Sequence, residues 1–418
     1  MKIKFISALM LAAGFTSQAA NIVDVKPISN KILDITFVDG EITYHGLGQS
    51  RSDDKVTLYP GGRVTTANAK VINSYSITSC DDSNYPTSSL NRALSIGVNK
   101  RLEQSWAFDF SGLPTHVEET HVYLYLKDGL EEGKTYNIAV TNAEINTQKN
   151  KFTFRFDSKR SRTENIHINN IGYVPSAAAK YGYIYSWLGD GPSFEYANTA
   201  HLSANASRKF RLLKASDRTQ VFEGTPAFRK AKNQAEFTQW GSPDNNFLGA
   251  EVYDCDFSSF KTPGEYVLSV DGIGCSFPFS INNNIYEAPF YWTMKNLYEN
   301  RSGIELKTPS AQYNRPICHK NGVSGFKLEY SSKRYLDIVG SDADDADIAP
   351  IEAEIKGTVD TWGWYQDAGD WDSYASHWKV PVWLLYLYEL NPAKFKNYKL
   401  NIGDESNNNL PDLLDEAR

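Results

Sequence analysis

Alternating apolar and polar residues predict β-strands over the first third of the chain. The alternation is clearest on either side of the pair Asp39-Gly40 and again in the stretch that ends near residue 158. The alternating apolar residues are Leu33, Ile35, Phe37, Ile42, Tyr44, Val122, Leu124, Leu126, Tyr136, Ile138, Val140, Phe152, Phe154 and Phe156. Alternation on both sides of an Asp-Gly pair predicts a β-hairpin. A turn over residues 130–133 followed by a strand is typical of the end of an immunoglobulin-like sandwich. We therefore expect an all-β sandwich over residues 22–158, followed by a polar, basic linker from Asp157 to Asn165.

A second β pattern occupies residues 166–282. Turn pairs at Pro263-Gly264 and Asp271-Gly272 separate its later strands. The alternating aromatic and aliphatic residues that mark the strands are Tyr181, Tyr183, Tyr185, Tyr266, Leu268, Val270, Phe277 and Phe279. Such spacing predicts a second sandwich. We expect both sandwiches to pack beside a neighbour, although aromatic strands exposed to solvent could also bind a glycan.

The apolar period changes to that of helices from Tyr286 onward. Pro289 lies in the first turn of the first predicted helix, and Gly303 follows its end. Pro381 opens a run, residues 382–387, that is apolar nearly all round and predicts a helix buried on most faces. The stretch from Asn409 to Asp412 predicts another helix start, and the last residue, Arg418, follows six positions later. Two or three helices cannot close a domain, so we expect the sequence to be cut short.

Composition and charge narrow the class of protein. The 418 residues are more than one ordinary domain contains, and 41% apolar residues suffice for packed cores. A net charge of -7 argues against nucleic acid as a partner. Four cysteines are too few for a disulfide framework. Cys255 and Cys275, in one predicted domain, are the best candidates for a pair, whereas Cys80 and Cys318 are expected to be unpaired.

The N-terminus has the pattern of a secretory signal peptide over residues 1–19. Lys2 and Lys4 precede an apolar run, residues 5–15, that is too short to span a membrane, and small residues follow at Ser17 and Ala19. No later segment has the length and apolar character of a membrane span. We expect a secreted or periplasmic protein without a membrane span.

The candidate chemistry lies in the stretch Gly363 to Trp371, which contains two aspartates three residues apart. If a helix begins after Gly369, Asp367 and Asp370 point the same way. Two carboxylates aimed at one point can hold and deprotonate a water, or bind a cation. Alternatively, Asp370 only caps the following helix.

Tryptophans surround this pair of carboxylates. Five of the nine tryptophans of the chain are close by in the sequence, at Trp362, Trp364, Trp371, Trp378 and Trp383. Aromatic faces beside carboxylates suit a sugar ring, whose C–H faces are apolar and whose rim is polar. Trp364 and Trp371, which flank the pair, are therefore candidate substrate-binding residues, although clustered tryptophans can equally form a core.

Six phrases in residues 166–418 resemble glycoside hydrolase family 9, the cellulase and endoglucanase family, in family order. The phrases are residues 168–173 (INNIGY), 256–266 (DFSSFKTPGEY), 301–306 (RSGIEL), 315–319 (RPICH), 364–370 (WYQDAGD) and 411–418 (PDLLDEAR). The resemblance implies an immunoglobulin-like domain over residues 166–282. It also implies the opening helices of an (α/α)6 barrel, incomplete, over residues 286–418. Residues 22–158 are not covered by it.

The resemblance also implies a reaction. Members of the family invert the anomeric centre of a β-glucan such as cellulose. By the matching motif, Asp370 is the general base and Asp367 helps to hold the water. The family's general acid is a glutamate far toward the C-terminus that no position here matches, so we expect this chain alone to be inactive. We expect a monomer that needs no cofactor.

Two metals known in the family have weak support in the sequence. Some members bind a structural zinc through Cys and His residues. Cys318 and His319 match, but Ser302 and Gln366 stand where that motif has its other Cys and His, so zinc is not expected. The acidic, amide-rich loop of residues 404–409 could supply oxygen ligands for calcium, although a solvated turn is the favoured interpretation.

Two functions of different class remain open on the sequence alone. The first is a secreted inverting β-1,4-glucanase. The second is a non-catalytic glycan-binding or scaffold protein in which the β domains carry the function and the helical region is vestigial.

Overall fold

The computed structural model describes residues 21–46, 53–59, 63–88, 93–105, 116–141, 145, 150–236, 246–318, 329–331, 355–358, 365, 379–402 and 408–418. The chain divides into two compact units, Met1–Ile285 and Tyr286–Arg418. The first is built from strands and contains two β regions, and the second contains the longer helices.

Nine strands form the N-terminal β region within the described residues. They are β1 (Asn21–Ser29), β2 (Ile32–Val38), β3 (Gly40–Thr43), β4 (Lys55–Leu58), β5 (Tyr75–Thr78), β6 (Ser95–Ser105), β7 (His116–Tyr125), β8 (Thr135–Val140) and β9 (Lys151–Arg155). A short helix, α1 (Thr66–Ala69), and a 3-10 turn (Ile72–Ser74) lie between β4 and β5. The strands form a four-stranded antiparallel sheet of order β1-β2-β7-β6, a three-stranded sheet of order β5-β8-β9, and the pair β3-β4.

The four-stranded and three-stranded sheets share one core. Most of the alternating apolar residues predicted from the sequence are buried between them, with Leu33, Ile35, Phe37, Val122 and Leu124 on one side and Tyr136, Ile138 and Val140 on the other. Of the rest, Ile42 belongs to a separate small cluster and Tyr44 is exposed. The period-2 pattern therefore identified the inward faces of β2, β7 and β8 correctly.

The hairpin predicted at Asp39-Gly40 does not form. β2 pairs with β1 and β7, whereas β3 pairs with β4. Only Asp39 separates β2 from β3, which is too few residues for a two-residue hairpin turn. The Asp39 carboxylate accepts a hydrogen bond from the Glu118 backbone N–H at 2.7 Å and pairs with Arg63 at 3.0 Å. Asp39 is thereby tied to β7 rather than placed in a turn.

Nine further strands form the second β region within the described residues. They are β10 (Ile166–His167), β11 (Tyr181–Ile184), β12 (Phe210–Lys214), β13 (Gln220–Gly224), β14 (Ala227–Lys230), β15 (Val252–Asp256), β16 (Gly264–Val270), β17 (Gly274–Cys275) and β18 (Phe279–Ile281). One sheet has the order β10-β11-β15-β14, and the other has the order β13-β12-β16, with β17 and β18 both paired to β16. The turn after β16 contains Gly272 at φ +76°, a left-handed conformation that favours glycine.

The two β regions share buried residues. Ile28 and Ile32 of the first region belong to the same apolar cluster as Phe210 and Leu268 of the second. Tyr123 and Tyr125 of β7 are also part of it. Because an apolar core of this kind stabilises both sides at once, the two regions form one compact unit.

The segment predicted as a linker, Asp157 to Asn165, is partly buried and hydrogen-bonded, with Lys159 and Arg160 exposed. Ser158, Thr163 and Asn165 are at most 2% exposed. The Asn165 amide donates to the Ile28 carbonyl at 2.9 Å, and the Ser158 hydroxyl accepts from the Gly272 N–H at 2.8 Å. The polar residues that signalled a linker satisfy backbone groups between the two β regions.

The second unit is described through four helices and one strand pair. These elements are α2 (Glu287–Asn300), β19 (Glu329–Ser331), β20 (Ile355–Thr358), α3 (Lys379–Leu390), α4 (Pro392–Phe395) and α5 (Asp412–Ala417). Helix α2 ends before Gly303 (φ +82°), as its apolar period predicts. Met294 and Tyr298 of α2 pack with Leu384, Phe395 and Leu413 in one core. Closure into an (α/α)6 barrel stays a prediction.

Helix α3 is less buried than its sequence predicts. Leu384 is buried, and Val380, Leu387 and Tyr388 pack against the same core at helical spacing. Trp383 is 64% exposed, and Val382, Leu385, Tyr386 and Leu390 are exposed as well. The prediction of burial on most faces is wrong for the residues described, because only one stripe of this apolar helix has neighbours among them.

The thiols of Cys80, Cys255 and Cys275 are free. Cys255 lies in β15 and Cys275 lies in β17, which belong to different sheets of the second β region, so the candidate pair is not formed. Burial raises the pKa of both thiols. In the part of the chain that the structure describes, no helix has the length and hydrophobicity needed to cross a membrane.

Candidate active site

The four residues predicted to carry the chemistry, Asp367, Asp370, Trp364 and Trp371, lie outside the described residues. Their motif is represented by Tyr365, which precedes Asp367 by two positions. The site can therefore be built from Tyr365 and the residues that contact it.

Tyr365 is fixed through both its backbone and its side chain. Its backbone forms an antiparallel bridge with Arg301, the residue that caps the C-terminus of α2. Its hydroxyl donates a hydrogen bond to Oε1 of Glu416 at 2.7 Å. The residue is buried, with 7% of its surface exposed. Three segments that are distant in sequence therefore meet at Tyr365.

Arg301 and Glu416 form a buried ion pair beside Tyr365. The Arg301 Nε lies 3.4 Å from Glu416 Oε1, and a terminal nitrogen of the guanidinium donates to Oε2. The two side chains are 8% and 1% exposed. Burial raises the pKa of the Glu416 carboxyl, while Arg301 and the Tyr365 hydroxyl oppose that rise. A planar guanidinium that reaches both oxygens fixes the orientation of the carboxylate.

Neighbouring contacts hold helix α5, which carries Glu416, in place. Oδ2 of Asp412 accepts from the backbone N–H of Leu400 at 2.5 Å and of Asn401 at 3.1 Å. Asp415 accepts from the Asn408 side-chain amide. The acidic residues predicted to favour the helix dipole thus also bind specific partners.

The contact of Glu416 with Arg301 and Tyr365 was not predicted from the sequence. The one signal for it was that Arg301 and Glu416 both lie in phrases that match the family.

The residues at the family's zinc positions do not fit a zinc ion. The Gly303 N–H donates to the Cys318 carbonyl at 2.9 Å, so the structure brings the 302 and 318 positions together. Ser302 is fully buried, and its hydroxyl has no hydrogen-bond partner among the described residues. His319 and Gln366 lie outside them. Serine in place of a thiolate, and glutamine in place of an imidazole, leave too few of the four ligands that zinc requires.

The loop considered for calcium is described only at Asn408 and Asn409. Oδ1 of Asn408 accepts from the Leu410 N–H at 2.7 Å, and its carbonyl accepts from Lys399 at 3.0 Å. Both oxygens therefore have partners within the protein. The described residues contain no group of three or more His, Cys, Asp or Glu arranged to hold a metal.

A second candidate surface is the aromatic face of β11. Tyr181 and Tyr183 lie on the same face of the strand, since successive side chains alternate. With His167 and Tyr173 they line a cavity of about 460 Å³. The Arg229 guanidinium lies 5.6 Å from the centre of the Tyr183 ring. Partly exposed aromatic rings with polar neighbours can contact a sugar.

Comparison with known proteins identifies the second β region. Residues 161–275 match the family model described as the cellulase N-terminal ig-like domain. This match confirms the immunoglobulin-like domain that the sequence phrases implied.

Curated relatives extend the similarity beyond that domain. The chain is 27% identical over 278 residues to endoglucanase D of Acetivibrio thermocellus, covering 66% of this chain and 34% of that protein. It is 27% identical over 269 residues to a cellulose 1,4-beta-cellobiosidase of the same organism, covering 60% and 26%. It is 28% identical over 199 residues to a xyloglucan-specific endo-beta-1,4-glucanase of Bacteroides ovatus, covering 44% and 30%. The matched part of the chain spans between about a quarter and a third of the length of these relatives.

Solved structures of glycoside hydrolase family 9 proteins also align with part of the chain. A metagenome-derived glycoside hydrolase family 9 endoglucanase matches at TM-score 0.42 and 24% identity, covering 60% of this chain and 38% of that one. A family 9 protein of Bacteroides ovatus matches at TM-score 0.40 and 22% identity, covering 60% and 37%. The match to the immunoglobulin-like domain and the curated relatives confirm the resemblance to family 9 cellulases with an N-terminal immunoglobulin-like domain, for the part of the chain that aligns.

Proposed function

We propose that the protein is a secreted or periplasmic glycoside hydrolase that cleaves β-1,4-glucosidic bonds in cellulose or a related β-glucan, with inversion of the anomeric centre. The observation that carries the proposal is the cellulase-type immunoglobulin-like domain at residues 161–275 together with similarity to endoglucanases over 278 residues, a longer stretch than that domain. The signal peptide proposed at residues 1–19 accounts for export.

The proposal assigns the base side of the reaction to two aspartates. Asp370 removes a proton from a water molecule, and Asp367 holds that water in line with the anomeric carbon. The water attacks the face of the sugar opposite the leaving oxygen, so a β-linked substrate gives an α-anomeric product. Trp364 and Trp371 flank the pair and supply apolar faces on which sugar rings stack.

The acid side of the reaction requires a carboxylic acid that protonates the leaving oxygen. In the family this group is a glutamate, and no residue of the 418 matches its motif. We therefore assign it to a glutamate outside residues 1–418, and we expect residues 1–418 alone to bind glucan without cleaving it.

Replacing Asp370 tests the proposal in the full-length protein as its source produces it. Asp370→Ala should lower the rate of β-glucan hydrolysis by at least about a hundredfold, the usual contribution of a general base. Binding to the polysaccharide should change little, because the substitution removes a catalytic carboxylate and no stacking surface. Asp372→Ala, which removes a nearby aspartate outside the motif, is the matched control. Hydrolysis at the wild-type rate by the Asp370 variant would contradict the assignment.

A second candidate function is glycan binding without catalysis. The observation in its favour is the aromatic face of β11, where Tyr181, Tyr183 and His167 line a cavity. The intact mass of the naturally secreted product separates the two functions. A mass well above that of residues 20–418 supports the hydrolase, whereas a mass equal to it supports binding by the β regions.

A further inference from the structure

We infer that Tyr365, Arg301 and Glu416 form a positioning unit that sets the orientation of the carboxylate motif. This inference rests on the proposed function, since it concerns how the proposed base is held. None of the three is assigned a part in the chemistry, and none belongs to the pair of aspartates itself. They lie on three separate segments: the end of α2, the motif, and helix α5.

The contacts give each residue a different task. Arg301 already places a positive charge against the Glu416 carboxylate, so charge compensation of that buried group does not need Tyr365. The tyrosine hydroxyl adds a directional bond of 2.7 Å to Oε1. Because the carboxylate is oriented by the guanidinium, it offers Tyr365 one fixed acceptor. The side chain of Tyr365 can therefore take only a narrow range of positions.

The backbone of Tyr365 is held by an independent contact. Its bridge to Arg301 ties the chain of the motif to the same residue that orients Glu416. Arg301 is held in turn, because its carbonyl accepts a hydrogen bond from the Arg315 guanidinium at 2.5 Å. One buried arginine thus constrains Tyr365 through both the backbone and the side chain.

The position of Tyr365 in the sequence gives this restraint a function. Asp367 follows it by two residues and Asp370 by five. Two carboxylates that share one water must be held closely in position, since a misplacement of about 1 Å can lower a rate by about a hundredfold. A phenylalanine at 365 would fill the same space but would lose the bond to Glu416. The hydroxyl is therefore expected to affect the rate more than the fold.

Tyr365→Phe in the full-length protein tests the inference. We expect kcat on a soluble β-1,4-glucan to fall about ten- to a hundredfold, with KM and polysaccharide binding within about twofold of wild type. Arg301→Lys keeps the charge but loses the two-nitrogen contact, and it should also lower kcat without raising KM. Tyr313→Phe, which removes a hydroxyl bonded to the Glu299 carbonyl at 3.1 Å, is the matched control and should leave kcat unchanged. Rates are compared well below the melting temperature of each variant and normalised to the folded fraction.

The outcomes separate this inference from the proposed function. If Asp370→Ala is inactive while Tyr365→Phe retains kcat within about twofold of wild type, the three residues only stabilise the fold and the inference is overturned. If Asp370→Ala retains activity, the proposed function itself fails. A fall in kcat for Tyr365→Phe and not for Tyr313→Phe supports the positioning role.

Discussion

At the scale of single residues, the N-terminal β region contains a buried charged triad. His121 of β7 lies between Asp34 of β2, with Nδ1 2.8 Å from Oδ2, and Glu119, with Nε2 2.5 Å from Oε1. Burial lowers the pKa of His121, but the two carboxylates outweigh that effect and raise it to about 9. The hydrogen bond from His121 lowers the pKa of Glu119 to about 2 against the opposing effect of burial, with Arg101 adding to the fall.

The triad makes stability depend on pH in a defined direction. The contribution of His121 is complete below pH 6.5, its ordinary pKa, and is lost as the pH rises through about 9. The contribution of Glu119 is present above pH 4.5 and is lost as the pH falls through about 2. Burial raises the pKa of Asp34, so that carboxyl partly offsets the loss on the acid side.

We expect the free energy of unfolding to fall by on the order of 2 kcal/mol between pH 6.5 and 9 because His121 loses its charge. Denaturant unfolding followed at several pH values measures this fall. His121→Gln should make the profile nearly flat over the same range. A slope equal to that of the wild type in this variant would show that other groups cause the pH dependence.

The site residues that the sequence predicts are those whose signal is local. Asp367 and Asp370 stand three positions apart, so the sequence pairs them, and this pairing stays a prediction because both residues lie outside the described ones. Arg301 and Glu416 are 115 positions apart, and Asp34 and His121 are 87 apart. Nothing in local spacing brings such residues together, because the fold decides which segments meet. The absence of a zinc site stays a prediction, and its signal is also local, because Ser302 stands where the motif has a thiolate ligand.

At the scale of elements, the alternation of apolar and polar residues and the helical spacing of apolar residues predicted where strands and helices lie. These patterns did not predict which elements contact one another. β2 and β3 were both predicted, yet they pair with different strands. Helix α3 also shows that a pattern does not identify the neighbours of an element. Its apolar residues predicted burial on most faces, but the described residues around it cover only one stripe of the helix. A sequence pattern records which residues prefer burial, and the partner that buries them is a property of the whole fold.

The buried segment between the two β regions gives an element-scale prediction. Asn165→Ala should destabilise the protein by about 1–3 kcal/mol, because the Ile28 carbonyl loses its buried partner. Lys159→Ala, at an exposed position of the same segment, is the control and should change stability by less than about 0.5 kcal/mol. The thermal midpoints of the two variants measure the difference. Equal midpoints would mean that this segment behaves as the solvated linker its composition predicts.

At the scale of the whole molecule, the first unit unites two β regions that the sequence predicted as separate domains. Tyr123 and Tyr125 of β7 pack with Phe210 and Leu268 of the second region, and Asn165 bonds to Ile28. The region of unassigned role therefore supports the immunoglobulin-like domain directly. The contact between the two β regions could not be predicted from the polar composition of residues 157–165. In a sequence, polar side chains that bond to buried backbone groups cannot be distinguished from polar side chains that are solvated.

Hydrolysis of β-1,4-glucan by inversion is the main proposal, and the anomeric form of the first product tests it directly. The full-length protein is mixed with cello-oligosaccharides, and proton NMR follows the reducing ends before mutarotation. We predict that the α-anomer appears first, because a water activated by Asp370 attacks opposite the leaving oxygen. Initial release of the β-anomer, or no release of product from any β-1,4-glucan, would contradict the proposal.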